Sequence, residues 1–248
     1  MSIFAALNVY HDLAPRSAAM NMAIDQALLE SAAAPSIRFY RWESPAFSFG
    51  YFGRFADVAD KASERDLVRR WTGGGIVFHG EDLTYSVVIP ANDPVFAEPP
   101  MSIYENVHHA LRKALVANGQ RAELLAVAAV CDRRTCFRSN NFPTADGSTQ
   151  NSPTVTDRRY NDCFANPVRA DVTIDGRKVA GAAQRRARAG LLQQGSVQYV
   201  DLENGLAERF AQALSANCSE REINRETLHR ARELAEHKYG ANEWLRKH

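Results

Sequence analysis

Cys163 is the residue whose surroundings best suit nucleophilic chemistry. It follows a long polar stretch, and Arg158, Arg159 and Arg169 lie near it in the sequence. Nearby positive charge lowers the pKa of a thiol and raises the fraction of the nucleophilic thiolate. The alternative is an inert, small hydrophobic residue, which is the usual role of an isolated cysteine such as Cys218.

A hairpin turn is predicted to bring Lys178 towards the same region. Residues 168–174 alternate between apolar and polar side chains, and Asp175-Gly176 is a strong signal for a two-residue turn. In that register Thr173 faces Lys178, and the returning strand carries the lysine back towards Cys163. The alternative is a solvated strand lysine.

Three consecutive glycines, Gly73, Gly74 and Gly75, form the second candidate site, because they separate two strand-like segments. Glycine lets the backbone approach a ligand, and its N–H groups can face a carbonyl or a phosphate. The spacing matches neither common nucleotide-binding glycine motif. A flexible bend is the alternative, but Arg70 before the glycines and His79 after them favour a site.

Other candidate residues also allow two interpretations. His79 is either a general base or a hydrogen-bonding scaffold residue. Gly181 and Ala182 follow Lys178 and leave room for a ligand beside the strand. The basic run at 185–188 is a solvated turn or a contact for an acidic partner protein.

Composition excludes several classes of protein. The chain has 248 residues, 45% of them hydrophobic, and a formal net charge of +1, so we expect one domain over residues 1–248 and no nucleic-acid partner. Residues 131–190 nevertheless hold 11 basic and 6 acidic residues. No signal peptide or membrane-spanning run is visible, which predicts a cytoplasmic protein without membrane association. Four cysteines without zinc spacing predict neither a disulfide scaffold nor a metal site.

The hydrophobic pattern predicts an α+β fold, with a mixed, largely antiparallel sheet and packed helices. Strands are expected at 37–42, 67–71, 76–79, 83–89, 124–130, 168–174 and 191–200. The stretch 131–162 is too long and too polar for an ordinary connection, and is predicted to be a mobile loop.

Helices are predicted from their apolar periodicity and their capping residues. The first spans about 17–31, with Asn21, Asp25 and Glu30 on its polar face. The second is expected to begin in a capping box at Ser102, and the last of the C-terminal helices within 204–248 in another at Ser219.

Several segments together resemble the superfamily of lipoate-protein ligases and octanoyltransferases, whose catalytic fold is shared with biotin protein ligase. The matching stretches are RRWTGGGIVFH at 69–79, LTYS at 83–86, DGRKVAGAAQ at 175–184 and LQQGS at 192–196. The match extends over nearly the whole chain, and the combination is more specific than any single motif.

The resemblance implies acyl transfer without a cofactor. An octanoyl or lipoyl group would arrive on acyl carrier protein, form a thioester with Cys163, and leave on a lysine of a lipoyl-carrier protein. That acceptor would be the glycine cleavage H protein or a dehydrogenase E2 domain. Cys163 and Lys178 would be catalytic, and backbone N–H groups near Gly74, Gly75 or Ala182 could stabilise the oxyanion.

The substrate is expected to lie in an apolar channel. The resemblance and the residue types together assign substrate binding to Phe49, Tyr51, Arg70, Gly73, Gly74, Gly75, Val77, His79, Tyr85, Gly181 and Ala182. Six methylenes at about 0.8 kcal/mol each contribute roughly 5 kcal/mol, enough to select a medium-length chain.

Two other functions remain open. In an ATP-dependent lipoate-protein ligase, Lys178 would contact an acyl-adenylate, ATP and Mg²⁺ would be required, and Cys163 would be incidental; Gly75 is typical of those enzymes. The 15-residue separation of Cys163 and Lys178 is the one expected of cysteine-dependent octanoyltransferases. The ligases commonly carry an extra C-terminal domain, for which the 48 residues after Val200 are too few. Both features favour the transferase. The last alternative is a non-catalytic module that binds an acyl group or a carrier protein.

Overall fold

The computed structural model describes residues 2–60, 65–126, 168–202 and 204–247. Cys163, Cys131, Cys136 and the polar stretch 131–162 lie outside the described residues. The same holds for 127–130, most of the strand predicted at 124–130.

The β-strands of the described residues form two sheets. The strands are β1 (Leu7–Arg16), β2 (Ser36–Trp42), β3 (Ala46–Phe49), β4 (Asp66–Arg69), β5 (Ile76–His79), β6 (Leu83–Pro90), β7 (Ala122–Leu124), β8 (Val172–Ile174), β9 (Arg177–Ala187), β10 (Gly190–Val197) and β11 (Cys218–Glu220). The larger, eight-stranded sheet has the order β11-β1-β2-β6-β10-β9-β8-β7, and the smaller has the order β4-β3-β5. Only the pairs β11–β1, β1–β2 and β3–β4 are parallel among the described strand pairs. The predicted α+β class with a largely antiparallel sheet is therefore confirmed.

The α-helices cover both faces of the larger sheet. They are α1 (Ala18–Ser31), α2 (Pro100–Ala117), α3 (Leu206–Leu214), α4 (Arg225–Leu234) and α5 (Asn242–Leu245). Side chains alternate between the faces of a strand, so Val87 of β6 packs with α2 and α3 while Val88 packs with α1 and α4. Within the described ranges, no helix combines the length and the apolar character needed to cross a membrane.

Of the three helix starts predicted from capping residues, one is confirmed and two are wrong. Ser17 Oγ accepts a hydrogen bond from the Met20 backbone N–H, as predicted for an N-cap. The start predicted at Ser102 is wrong, because α2 already begins at Pro100. The first N–H groups of a helix have no hydrogen-bond partner within it, so a proline, which has no N–H, is tolerated there. The start predicted at Ser219 is also wrong, since that residue pairs with β1 in strand β11.

The hairpin that carries Lys178 is confirmed in detail. Asp175 and Gly176 both adopt positive φ angles, 48° and 78°, as a tight two-residue hairpin requires. Thr173 pairs with Lys178 as predicted. The preceding strand is shorter than the predicted 168–174, because Ala170 at φ 66° interrupts the extended backbone.

The polar face predicted for α1 is confirmed at Glu30, which is exposed, and is wrong at two other residues. Asn21 and Asp25 are fully buried. Arg38 of β2 donates to Asp25 Oδ1 over 2.8 Å and to Asn21 Oδ1 over 2.7 Å, and its guanidinium also reaches Asp12. A charge buried in this way needs an opposite charge, so this network holds α1 on the sheet.

Candidate active site

A partly open cavity lies where the smaller sheet meets β6, β9 and β10 of the larger one. Six predicted site residues line it: Arg70, Val77, His79, Lys178, Gly181 and Ala182. The sequence analysis did not single out the other lining residues, which are Met22, Tyr40, Trp42, Ser48, Thr84, Ala183, Gln194, Gly195 and Ser196.

Strand alternation decides which side chains reach this cavity. On β3, Ser48 faces it, while Phe49 points to the opposite side and packs in a separate cluster with Ile76. On β5, Val77 and His79 face the cavity. Phe49, which was predicted to line an acyl channel, therefore does not face this cavity, because its neighbour occupies that face.

Two tyrosines predicted to line an acyl channel also lie elsewhere. Tyr85 is fully buried on the far face of β6, with its ring 5.1 Å from that of Phe210. Tyr51 lies beside Trp244, at a ring distance of 5.6 Å. Of the four residues predicted for the channel, Val77 alone is among the described lining residues.

The three glycines support the cavity from outside its lining. Gly74 has a φ of 83°, and Gly50 packs so tightly against the backbone of Gly73 and Gly74 that a Cβ would not fit. Arg70 donates to the carbonyls of Gly73 and Gly75 at 3.0 and 2.9 Å. The turn thus fixes the Arg70 guanidinium on the cavity wall.

Lys178 forms a buried ion pair at the cavity wall. Its Nζ lies 2.7 Å from Asp171 Oδ2, and both side chains are almost inaccessible to solvent. Asp171 also accepts hydrogen bonds from the Tyr104 hydroxyl and the Val168 N–H. Burial and, next, the Asp171 charge raise the pKa of Tyr104, so its hydroxyl remains a donor. Asp171 therefore fixes the position of the Lys178 ammonium.

The backbone around Gly181 complements this lysine. A Cβ on Gly181 would lie 2.5 Å from Lys178 Cε and 2.6 Å from Nζ, so the missing side chain makes room for the lysine. The Ala182 N–H already donates to the Tyr104 hydroxyl over 3.2 Å. The Tyr104 hydroxyl thus already accepts from this N–H, and the expected role of Ala182 at an oxyanion stays a prediction.

A second polar group on the cavity wall centres on His79. Its Nε2 lies 2.7 Å from Ser48 Oγ, and its Nδ1 lies 2.8 Å from Asp82 Oδ2. The imidazole stacks on Trp42 with 4.1 Å between ring centroids. Arg70 Nη1 donates to Ser48 Oγ over 2.7 Å. The sequence analysis missed Ser48 and Asp82; the only signal was the three-residue separation of His79 and Asp82.

Gln194 forms part of the cavity floor and is held from both ends. Its Oε1 accepts from Thr72 Oγ1 over 2.8 Å, and its Nε2 donates to Asp25 Oδ2 over 2.7 Å. The side chain is thereby linked to the buried charges beneath α1. Such a residue shapes the cavity without being free to reorient.

Metal and cofactor binding were also considered. Across the described stretches, no group of three or more His, Cys, Asp or Glu residues is placed to hold a metal ion. The expectation of a reaction without metal or cofactor stays a prediction.

The chain is similar to known proteins in both sequence and fold. Residues 17–237 match the model of the lipoyl protein ligase A/B catalytic domain family. Octanoyltransferase LipM of Bacillus cereus is 28% identical over 279 residues, covering 92% of this chain and 94% of that protein. Octanoyltransferase LipM of Oceanobacillus iheyensis is 32% identical over 191 residues, covering 74% and 60%. The crystal structure of lipoate-protein ligase A bound with ATP superposes with a TM-score of 0.69 at 20% identity, covering 97% and 98%, which shows a shared fold.

Proposed function

Because the chain belongs to the lipoyl protein ligase A/B catalytic domain family, we propose that it is an octanoyltransferase that acts through Cys163. Two observations agree in supporting this proposal. The similar LipM proteins are named octanoyltransferases, and the cavity places a buried cation, Lys178, beside an apolar surface. The second observation carries the proposal, because an acyl thioester needs both an apolar site for its chain and a positive group for its carbonyl.

The donor reaction forms an acyl-enzyme. The Cys163 thiolate attacks the thioester carbonyl of octanoyl acyl carrier protein, the carrier's C–S bond breaks, and the carrier thiolate leaves and takes up a proton. Exchange between two thioesters costs little free energy, so the acyl group remains activated. The Lys178 ammonium, oriented by Asp171, stabilises the oxyanion that forms on the carbonyl.

The acceptor reaction forms the product amide. A lysine amine of a lipoyl-carrier protein attacks the Cys163 thioester, and the enzyme thiolate leaves. The octanoyl chain lies against Met22, Val77 and Ala183, all of which line the cavity. Carrier proteins as donor and acceptor agree with the cytoplasmic location expected from the sequence.

Intact-mass measurement tests this assignment. The protein is incubated with octanoyl acyl carrier protein, with and without ATP and Mg²⁺. We expect one octanoyl adduct on the wild type without ATP and none on Cys163→Ala. Cys218→Ala removes an exposed cysteine and serves as the matched control, which should acylate normally.

The other functions give different results. Product that forms only with ATP and Mg²⁺ would indicate a ligase. Binding of the acyl carrier protein without an adduct or turnover would indicate a non-catalytic module. Either outcome overturns the proposal.

A further inference from the structure

The hydrogen bonds of Ser48, His79 and Asp82 form a continuous path that ends at the cavity. Ser48 and His79 both line it. The distance from Ser48 Oγ to His79 Nε2 is 2.7 Å, and that from His79 Nδ1 to Asp82 Oδ2 is 2.8 Å. A hydroxyl, an imidazole and a carboxylate in this order form a chain along which a proton can pass.

The partners of Asp82 set the direction of this chain. Its carboxylate accepts hydrogen bonds from Thr84 Oγ1 and Ser196 Oγ, each over 2.7 Å, and from the Gly80 N–H. Burial raises the pKa of Asp82, but His79 and these hydroxyl bonds more than offset burial and hold that pKa below its usual value. An ionised carboxylate only accepts, so His79 Nδ1 carries the proton that is donated to Asp82, and in the neutral imidazole Nε2 accepts from the Ser48 hydroxyl.

Ser48 retains the capacity to accept one more hydrogen bond. A hydroxyl has one proton and two lone pairs. The proton goes to His79, and one lone pair accepts from Arg70 Nη1 over 2.7 Å. No other donor to Ser48 Oγ is found in the described parts of the chain, and the second lone pair suits an N–H group in the cavity.

The acceptor half of the proposed reaction needs such a group. When an amine attacks a thioester, its nitrogen must lose a proton before the amide is complete. Two cations also line this wall: the Arg70 guanidinium can only donate, and Lys178 is ion-paired with Asp171 and is placed as a donor to the carbonyl. A proton acceptor separate from Lys178 is therefore required.

We propose that Ser48, backed by His79 and Asp82, is the proton acceptor for the attacking amine. This inference rests on the proposed function, because it concerns the acceptor half of that reaction. The amine proton passes to Ser48 Oγ as the Ser48 proton passes to His79 Nε2. The C–S bond to Cys163 breaks, and the imidazolium then returns its proton through Ser48 to the departing thiolate. Ser48 is the catalytic residue, while His79 and Asp82 act through it.

The same three residue types also occur where serine is a nucleophile. The proposed reaction, however, has its own nucleophile in Cys163. We therefore assign proton transfer, and not covalent catalysis, to Ser48.

A two-stage kinetic experiment separates the halves of the reaction. Wild type, Ser48→Ala, His79→Gln and Asp82→Asn are loaded from octanoyl acyl carrier protein, freed of donor, and mixed with a lipoyl-carrier domain. Loading measures the donor half, and loss of the adduct by rapid-quench mass spectrometry measures the acceptor half. Ser31→Ala and His109→Gln, which lie away from the cavity, are the matched controls.

We expect Ser48→Ala and His79→Gln to load at close to the wild-type rate and to transfer roughly 100-fold more slowly, the lower end of the effect of a general base. The deficit should shrink as pH rises, because the acceptor amine then loses its proton to water. Among the described residues, the charged groups around His79 and the cavity include Asp82, Arg70, Arg65, Lys178, Glu81 and Asp25. Each is present in both His79→Gln and wild type, so a difference in pH profile reports on the imidazole.

Three outcomes would contradict the inference. Transfer by His79→Gln with the wild-type rate and pH profile overturns it while leaving the acyl-enzyme intact. Equal slowing of both halves indicates a structural role. An octanoyl ester on Ser48 in the Cys163→Ala protein makes the serine a nucleophile. Failure of the wild type to load refutes the proposed function itself and is distinguished at the first stage.

Discussion

Asp82 and Asp171 are two buried carboxylates that support different parts of the same cavity wall. Asp171 holds a lysine, a tyrosine hydroxyl and a backbone N–H. Asp82 holds a histidine, the hydroxyls of Thr84 and Ser196, and a backbone N–H. The numbers of partners are similar, but the basic partner is a lysine in one group and a histidine in the other.

This difference gives the two groups different chemistry. A lysine paired with a carboxylate keeps its charge and can stabilise an oxyanion throughout a reaction. A neutral histidine has one ring nitrogen that donates and one that accepts. In the proposed reaction, Lys178 therefore serves the carbonyl oxygen and His79 takes up the proton that passes through Ser48.

The largest expected effect comes from breaking the fixed pair. Asp171→Ala leaves the Lys178 ammonium without its carboxylate in a buried position, which should lower the free energy of unfolding by about 3–5 kcal/mol. The double variant Asp171→Leu/Lys178→Met should recover much of that loss, because no buried charge remains. Urea unfolding followed by circular dichroism measures both. A loss below about 1 kcal/mol would show that the pair behaves like a surface salt bridge.

A smaller effect, dependent on pH, is expected at Asp82. Its pKa in the folded protein lies below the ordinary value of 3.8, so its ionised form stabilises the fold above that value, and the stabilisation is lost as pH falls through the lowered pKa. Asp82→Asn should therefore be less stable than wild type at pH 7 by about 1–3 kcal/mol, with a difference that narrows in acid. Unfolding curves at a series of pH values test this. A constant difference would mean that the carboxylate charge is not involved.

Gly181→Ala tests the position of Lys178 without removing it. The new methyl group would occupy the space of the lysine Cε and Nζ and push the ammonium away from Asp171. We expect Cys163 acylation to slow by about tenfold, equivalent to about 1.4 kcal/mol. Lys178→Arg should also be poorly active, because a planar guanidinium does not fit the site of a compact ammonium. Normal acylation by both variants would show that Lys178 has no role near the carbonyl.

The smallest effect is expected from the apolar lining. Val77→Phe should narrow the cavity and reduce the preference for octanoyl over shorter chains, by about fourfold for each methylene excluded. Phe49→Leu changes a residue on the opposite side of the smaller sheet and should leave chain-length preference unaltered. Competition between acyl carrier proteins with different chains measures the ratio. An equal shift in both variants would place the acyl chain elsewhere.

Local sequence signals predicted much of the fold because the relevant forces are local. The turn at Asp175 and Gly176 follows from residues that tolerate positive φ, and the cap at Ser17 follows from a side chain that satisfies a helix N–H. The triple glycine, Arg70 and His79 were recognised as one region, and the structure brings Arg70 and His79 together at the cavity.

The failures involve partners that are distant in the sequence. Asn21 and Asp25 have the pattern of a solvated face, but Arg38 arrives from another element and makes their burial favourable. Ser48 lies between two aromatic residues and lines the cavity, whereas Phe49, which the sequence analysis assigned to substrate binding, packs on the opposite side. Residue type alone does not reveal which face of a strand meets a cavity. The role of Cys163 stays a prediction, since that residue lies outside the described part of the chain.

The most direct test of the central claim follows one acyl group through the enzyme. Isotope-labelled octanoyl is loaded from acyl carrier protein without ATP, the loaded enzyme is isolated, and a lipoyl-carrier domain is added. The account predicts that the label leaves Cys163 as fast as it appears on the acceptor lysine, at a rate no slower than steady-state turnover. Product formation by the Cys163→Ala protein, or label that remains on the enzyme while product accumulates, would contradict it.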